Sequence, residues 1–346
     1  MSSMKKRVVV CAAMMLIAGG LRQAYAQPVA TITIVVCLSS TNQPLWGVPV
    51  NLGSAIHFTI LAGSAITSTG GGTINGDVGL SPAGGSFISL ATNEVNGTLY
   101  AVDGSGPAGS VNAPGVLAAA KADLTTAYNE ARDRTPVPAG DYFLNPGGGN
   151  IGGLSLVPGL YKFTSTASIM GADVTLTGGA NDVWIFQIGT ALTVGPGGRH
   201  VILVGGAQAR NIFWQVGSSA TIGPFADFKG TIMADQSITM DTSSTMEGRA
   251  LARIAAVTFN GTNASLPMPE APRFTHIFGT ASNPVTAVLI TTPYFLLTLE
   301  TSPDLLLKTW TTIATDTPLA TPWTFVDDNA TTVATQRFYR AFITPY

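Results

Sequence analysis

The residues best placed to do chemistry are serines and threonines that recur in a four-residue pattern. Each copy is small, apolar, Ser or Thr, then apolar, and the copies are Thr166-Ala167-Ser168-Ile169, Ala191-Leu192-Thr193-Val194, Ser219-Ala220-Thr221-Ile222, Ser237-Ile238-Thr239-Met240 and Ala256-Val257-Thr258-Phe259. An earlier stretch, Ala65-Ile66-Thr67-Ser68, differs by ending in Ser. Hydroxyl groups donate and accept hydrogen bonds, and the methyl groups beside them are apolar. Such a pattern predicts a surface that orders water.

On stacked strands, the residues of the pattern would occupy regularly spaced positions. Side chains alternate along a strand, so the apolar residues of each copy face inward and the others face outward. Stacked strands lie about 4.7–4.9 Å apart and alternate residues about 6.6 Å apart, which gives two parallel ranks. Those spacings are comparable to the oxygen repeats in ice. None of the predicted outward residues is charged, and they are Ala65, Thr67, Thr166, Ser168, Ala191, Thr193, Ser219, Thr221, Ser237, Thr239, Ala256 and Thr258.

The four-residue pattern has other interpretations. Threonine has a high β-propensity, and threonine ladders stabilise parallel sheets in proteins of many functions. A charge-free face of Ser, Thr and Ala also fits a cell-surface adhesin, a matrix protein or a stacking interface. The pattern alone leaves these alternatives open.

Enzymatic chemistry has weak support in the sequence. The three histidines, His57, His200 and His276, are scattered and lack metal-ligand spacing. The aspartates next to glycines or turns are expected to cap bends, and they are Asp77, Asp173, Asp227 and Asp241. We therefore predict a protein that is not an enzyme and that needs no metal or cofactor. A polysaccharide-degrading enzyme is the weaker alternative.

Further repeats indicate the elements that carry the pattern. Trp184-Ile185-Phe186-Gln187-Ile188-Gly189 matches Ile212-Phe213-Trp214-Gln215-Val216-Gly217, and a third strand is expected at Val201-Ile202-Leu203-Val204. Short parallel strands repeating every 18–28 residues predict an all-β solenoid in which the chain coils as a β-helix. One stretch, Asn112 to Arg134, has helical periodicity instead. We expect this helix to cover the apolar strand face outlined by Ile185, Gln187, Phe213, Gln215, Thr231 and Met233.

Composition and the chain termini set the wider context. Only 10% of residues are charged, so there is no basic stripe for nucleic acid. Lys5, Lys6 and Arg7, an apolar run and Ala24-Tyr25-Ala26 predict a cleaved export signal over residues 1–26 and a secreted protein. The apolar run is shorter than the roughly 20 residues of a membrane span. Cys37 is then the one cysteine of the mature chain, which excludes an internal disulfide.

The chain divides into a large and a small unit. A lead-in at residues 27–50 precedes the repeat domain at 51–265, and a Pro-rich linker follows at 266–272. Residues 273–346 alternate as strands and are similar to the small β-sandwich modules of many secreted bacterial proteins. For this unit we predict a role in spacing or in attachment to a cell surface or matrix.

The repeat domain also resembles a known family. The matching segments are Leu52-Gly53-Ser54-Ala55, Leu61-Ala62-Gly63-Ser64, Thr73-Ile74-Asn75-Gly76-Asp77-Val78-Gly79, Ala122-Asp123-Leu124-Thr125-Thr126-Ala127-Tyr128, Leu156-Val157-Pro158-Gly159-Leu160-Tyr161-Lys162-Phe163, the two Trp-containing repeats above and Gly248-Arg249-Ala250-Leu251-Ala252-Arg253. In order and spacing they resemble the microbial ice-binding (antifreeze) proteins with a discontinuous β-helix.

The resemblance carries specific expectations. It implies a right-handed, three-faced β-helix with one long α-helix alongside, in which the N-terminal segment supplies turns out of spatial order. It implies ice as the partner and a flat face of aligned Thr, Ser and Ala residues as the binding surface. We assign that role to the twelve outward residues named above, and we expect the protein to slow ice growth or recrystallisation.

Overall fold

The described part of the chain covers most of the repeat domain. The computed structural model describes residues 47–135, 143–267, 269, 271–280, 283–291, 296–302, 310–318, 322–328 and 338–344. The predicted export signal, the lead-in up to residue 46 and Cys37 lie outside these residues, as do two linker positions, 268 and 270. The predicted division into domains stays a prediction.

The described residues contain one α-helix, many short strands and five 3-10 turns. The helix is α1 (Pro114–Asp133), and the 3-10 turns are Gly53–His57, Gly85–Phe87, Thr92–Glu94, Pro146–Gly149 and Ala209–Asn211. The strands before α1 are β1 (Phe58–Ala62), β2 (Ile66–Ser68), β3 (Thr73–Asn75), β4 (Asp77–Leu80), β5 (Ile88–Ser89), β6 (Val95–Asn96), β7 (Leu99–Ala101) and β8 (Val111–Asn112). Those between α1 and the linker are β9 (Ser155–Leu156), β10 (Gly159–Phe163), β11 (Ala167–Ile169), β12 (Val174–Thr177), β13 (Trp184–Ile188), β14 (Leu192–Val194), β15 (Val201–Val204), β16 (Ile212–Val216), β17 (Ala220–Ile222), β18 (Asp227–Ala234), β19 (Ile238–Met240), β20 (Thr245–Ala252), β21 (Val257–Phe259) and β22 (Asn263–Ser265).

These strands form three parallel sheets. Sheet A has twelve strands with the main order β10-β13-β16-β18-β20-β1-β4-β7-β8, and β22, β3 and β6 are attached to it through β20. Sheet B has seven strands in the order β11-β14-β17-β19-β21-β2-β5, and sheet C has three in the order β15-β12-β9. A fold dominated by parallel β-structure with one helix is therefore confirmed.

The chain visits these sheets in turn. It runs from β10 in sheet A to β11 in sheet B and β12 in sheet C, and then returns to sheet A at β13. In the middle of the domain each coil takes 18 residues, because Phe213, Thr231 and Arg249 lie opposite one another on successive strands. This path agrees with a solenoid, whereas its right-handed, three-faced form stays a prediction.

One junction in the sheets joins strands that are distant in sequence. β20 is followed by β1 in sheet A and β21 by β2 in sheet B, and β22 pairs with β3. We call these three strand pairs the seam. The N-terminal strands therefore extend the stack beyond its C-terminal strands, which is the out-of-order arrangement implied by the resemblance.

The interior of the coil is apolar. The inward residues predicted from the four-residue pattern are all buried, and they are Ile169, Leu192, Val194, Ala220, Ile222, Ile238, Met240, Val257 and Phe259. Aromatic rings stack along sheet A, where Phe186 and Trp214 have centroids 3.9 Å apart and nearly parallel planes. Tyr161 extends the stack, 5.2 Å from Phe186. Stacked rings on neighbouring coils favour the register of the parallel strands.

Helix α1 covers the outer face of sheet A. Leu117, Ala120, Leu124, Ala127, Tyr128 and Ala131, the residues with helical spacing in the sequence, are its buried residues. They belong to one apolar cluster with Ile185, Phe213 and Met233 of sheet A. The expectation that this strand face is covered is thus confirmed. None of the helices in the described residues has the length and apolar character of a membrane span.

The C-terminal residues form two antiparallel sheets. Their strands are β23 (Arg273–Thr280), β24 (Asn283–Ile290), β25 (Leu296–Ser302), β26 (Thr311–Asp316), β27 (Trp323–Asp327) and β28 (Phe338–Thr344). One sheet has the order β23-β24-β27 and the other β26-β25-β28. Ala287 and Leu289 are buried on the first sheet, and Leu297 and Leu299 on the second. The strands predicted from the sequence are present, and the β-sandwich form stays a prediction.

Candidate functional site

Sheet B aligns one hydroxyl from each of its seven strands. The paired positions are, in spatial order, Ser168, Thr193, Thr221, Thr239, Thr258, Thr67 and Ser89, and we call them the first rank. Each of the six strand pairs is parallel and free of register shifts. Thr221 and Ser89 are exposed and the others are half-buried, whereas the residues on either side of each are mostly buried. The alternation of apolar and hydroxyl residues sends these side chains outward.

A second rank lies two residues before the first. It contains Thr166, Ala191, Ser219, Ser237, Ala256 and Ala65, all exposed or half-buried. Their carbonyl groups continue the ladder, since Leu192 N donates to Ser219 O at 3.1 Å and Ala220 N to Ser237 O at 2.9 Å. The two ranks together are the hydroxyl array. The structure thus brings the twelve residues predicted from the sequence together, six on the strands of sheet B and six directly before those strands.

Backbone geometry sets the dimensions of this array. Seven strands spaced by about 4.8 Å make a rank about 29 Å long, and the two ranks are about 6.6 Å apart. Because no strand pair in sheet B has a bulge, the spacing is uniform along the rank. A uniform spacing of small side chains is what a periodic partner would require.

Some hydroxyls of the array bond to one another. Thr67 Oγ1 donates to Thr258 Oγ1 at 2.9 Å, and the hydroxyls of Ser219 and Ser237 lie 2.9 Å apart. These bonds hold the side chains in one rotamer and so fix where their methyl and hydroxyl groups lie. The four side chains that make these bonds are therefore ordered before any partner arrives.

Ser89 is the array residue that the sequence analysis missed. It lies on β5, the last strand of sheet B, opposite Thr67. The segment Phe87-Ile88-Ser89-Leu90 keeps the apolar, Ser, apolar part of the pattern, with Ile88 and Leu90 buried. It has Phe87 where the other copies have a small residue, so the four-residue pattern did not detect it. A search on the last three positions alone would have found it.

The array itself is electrically neutral. The nearest ion pair in sequence joins Arg253 to Asp235 at 2.5 Å, in the turns that lead from sheet A to sheet B. There Lys121 of α1 donates to Ala252 O at 2.7 Å and Arg253 O at 2.6 Å. Burial, reinforced by the charge of Arg253, lowers the pKa of Lys121 to about 8. These charges tie α1 to the turns and contribute no side chain to either rank.

The residues considered for enzymatic chemistry have structural partners. Asp77 Oδ1 accepts a hydrogen bond from Thr98 N, and Asp173 Oδ1 accepts one from His200 N, both at 2.9 Å. Burial raises the pKa of Asp77, and the Thr98 bond opposes that shift. Asp227 bonds the hydroxyl of Thr245 at 2.9 Å. Each of these carboxylates holds a neighbouring strand or turn.

The remaining candidates are Asp241, His276 and His57, and His57 ends the 3-10 turn that precedes β1. Asp241 Oδ1 accepts a hydrogen bond from Asn260 Nδ2 at 3.3 Å. His276 lies on β23, in the C-terminal unit. Within the described ranges, no group of three or more His, Cys, Asp or Glu residues is close enough together to hold a metal ion.

The sequence matches a known family model and several curated relatives. The ice-binding-like family model matches residues 60–265, which is more than half of the chain and includes every array residue. The curated relatives include the ice-binding protein of Flavobacterium frigoris (strain PS1), 41% identical over 236 residues that cover 66% of this chain and 83% of the relative. A Colwellia ice-binding protein is 41% identical over 222 residues, covering 64% and 85% respectively.

Solved structures give the same result. An ice-binding protein from an Arctic yeast, described for its antifreeze activity, has a TM-score of 0.59 and 35% identity. The match covers 65% of this chain and 97% of the yeast protein. An ice-binding protein from an Antarctic biological consortium has a TM-score of 0.54 and 43% identity, and covers 64% of this chain and 92% of its own.

Proposed function

This chain belongs to the ice-binding-like family, and we propose that it adsorbs to ice through the hydroxyl array and thereby slows ice growth or recrystallisation. The observation that carries the proposal is the seven-strand, in-register rank on sheet B. Its side chains are small and neutral, and they are left exposed or half-buried while α1 covers the outer face of sheet A.

Binding follows from the water that the array holds. Hydroxyls in the first rank anchor water molecules by hydrogen bonds. Water around the neighbouring methyl groups forms cage-like arrangements, in which each molecule keeps its hydrogen bonds to other water molecules. A charged side chain would bind water in a shell of its own geometry. A neutral array lets the ordered water adopt the lattice of the crystal, so that protein and ice share one layer.

The proposal includes the wider context of the protein. The chain is secreted after removal of residues 1–26, and it is not an enzyme. The coil is a right-handed, three-faced β-helix, and the C-terminal unit is a β-sandwich-like module that spaces the protein from, or attaches it to, a cell surface or matrix. The export pattern, the sheet order and the two antiparallel sheets support these points.

Thermal hysteresis and recrystallisation inhibition test the function. We expect both activities in the parent protein, and an inactive parent would overturn the proposal. The face is tested by Thr239→Tyr in the first rank, with Thr175→Tyr on sheet C as the matched control, because both residues are half-buried threonines in the middle of short strands. Only Thr239→Tyr should reduce activity. Equal activity of two folded variants would show that another face binds ice.

A further inference from the structure

The hydroxyl array is assembled from two distant parts of the chain. Five of its strands come from residues 167–259, and the other two, β2 and β5, come from residues 66–89. They meet at the seam, where Thr67 bonds to Thr258 across 191 residues of sequence. The array is continuous only when the N-terminal segment docks in one particular register.

Backbone pairing between β1 and β20 is limited. β1 pairs with β20 at two positions, Ile60 with Ala250 and Leu61 with Leu251, whereas β18 pairs with β20 at eight. On its other side β1 has a register shift between Phe58 and Ile60. A slip of one residue would move every side chain of a strand to the opposite face. The β21–β2 and β22–β3 pairs add three positions each, but they lie after β1 in the chain, so the approach of the chain to β1 needs a further contact.

Arg249 is placed to do so. It lies on β20, and its side chain is 3% exposed on the face covered by α1. Its Nε donates to Ile56 O at 2.8 Å, across 193 residues of sequence, and a terminal nitrogen lies 3.4 Å from Thr231 Oγ1. Ile56 belongs to the 3-10 turn that leads directly into β1. The guanidinium thus holds the N-terminal segment by a hydrogen bond, just before that segment enters sheet A.

The environment of Arg249 argues against a role in packing alone. Burial lowers the pKa of its guanidinium to about 9. Its partners are a carbonyl and a hydroxyl, and the described residues supply no carboxylate to pair with it. A buried cation without a counter-charge is costly, and an apolar side chain of similar size would avoid that cost. The directional hydrogen bonds to Ile56 O and Thr231 Oγ1 are what an apolar side chain could not supply.

We propose that Arg249 is a positioning residue for the hydroxyl array. By holding Ile56 it sets the register in which β1 enters sheet A, and β2 and β5 then continue the first rank with Thr67 and Ser89. The functional part of this inference rests on the proposed ice binding. The structural part concerns the seam and stands independently of it.

The test compares Arg249→Met with Gln187→Met. Gln187 is a buried polar residue on the same covered face but away from the seam, and its Nε2 donates to Ala131 O and Arg134 O, both at 2.9 Å. Backbone amide exchange is followed at Gly63 and Val257, which donate across the seam, and at Leu192 and Ala220, which donate elsewhere in sheet B. We expect roughly tenfold faster exchange at the seam amides alone in Arg249→Met, and no such selectivity in Gln187→Met.

The activity measurement adds a second readout. Arg249→Met should lose the contribution of β2 and β5, about two sevenths of the parent hysteresis, and adding Thr67→Tyr should cause no further loss, because these two strands are already displaced. Arg249→Lys keeps the charge without the planar donor, so it should show the same selective exchange to a smaller degree, and it serves if the methionine variant does not fold. Uniform exchange across sheet B, or unchanged seam amides, would overturn the proposal. An inactive parent would refute ice binding, and the exchange data would still decide the role of Arg249.

Discussion

A bulky side chain in the first rank should reduce activity according to the strand that carries it. Thr221 lies on β17, the third of the seven strands. A tyrosine hydroxyl reaches roughly 6.5 Å from its Cα, against roughly 2.5 Å for threonine. The extra height of about 4 Å exceeds the roughly 2.8 Å between hydrogen-bonded oxygens, so one water layer cannot fill the gap.

The loss can be counted in strands. Neighbouring strands are about 4.8 Å apart, so the tilted ring of Thr221→Tyr overlies β14 and β19 as well as β17. Three of the seven strands then lose contact with a flat crystal, and we expect at most about four sevenths of the parent hysteresis. Ser89→Tyr, at the end of the array, removes only β5 and β2 and should retain about five sevenths.

The assay is thermal hysteresis at matched protein concentration, with circular dichroism and urea unfolding to confirm that each variant is folded. The order of activity should be parent, Ser89→Tyr, then Thr221→Tyr. If the terminal variant is as damaging as the central one while both are folded, the array does not act as one flat contact, and the reasoning fails.

Three further predictions concern stability. Phe225 has φ of +61° and a ring that is 63% exposed, so Phe225→Gly should raise the free energy of unfolding by about 1 kcal/mol and the Tm by about 2–4 °C; a lower Tm would contradict this. A Cβ on Gly63 would lie 2.2 Å from Ile254 O at the seam, so Gly63→Ala should cost about 1–3 kcal/mol in urea unfolding, unlike Gly104→Ala, whose Cβ meets open space. Burial, helped by the charge of Arg249, lowers the pKa of His57 to about 4. The unfolded chain therefore binds a proton that the native state excludes, and stability should fall by up to about 3 kcal/mol as the pH drops from 6.5 to 4. His57→Gln should flatten this dependence, and an unchanged pH profile would refute the assignment.

Local patterns were sufficient to predict most of the elements. The spacing of Leu117, Ala120 and Leu124 indicates one buried helix face, and α1 buries that face. The four-residue pattern indicates alternating burial, and the strands of sheet B show it. Both predictions depend on the periodicity of side chains within a single element, and the order of residues in the sequence shows that periodicity directly.

The sequence pattern did not indicate which strands that are distant in the chain pair with one another. Nothing in the segment around Thr67 indicates that it lies beside Thr258, since a strand can pair with any edge of matching register. The resemblance to a family implied this order, and contacts such as that of Arg249 with Ile56 show what maintains it. Ser89 escaped detection because Phe87 breaks the small-residue rule at one position, although the burial of Ile88 and Leu90 follows it.

Because each coil in the middle of the domain takes 18 residues, the hydroxyl array can lengthen only by whole coils. A duplicated coil between β17 and β19 would add one hydroxyl to each rank and about 4.8 Å to the rank's length, while the backbone ladder would keep the spacing of every other strand. A substitution changes the side chain at one position of the array, but it does not change the distance between neighbouring strands. Tandem duplication of one coil would therefore enlarge the hydroxyl array without a new core design.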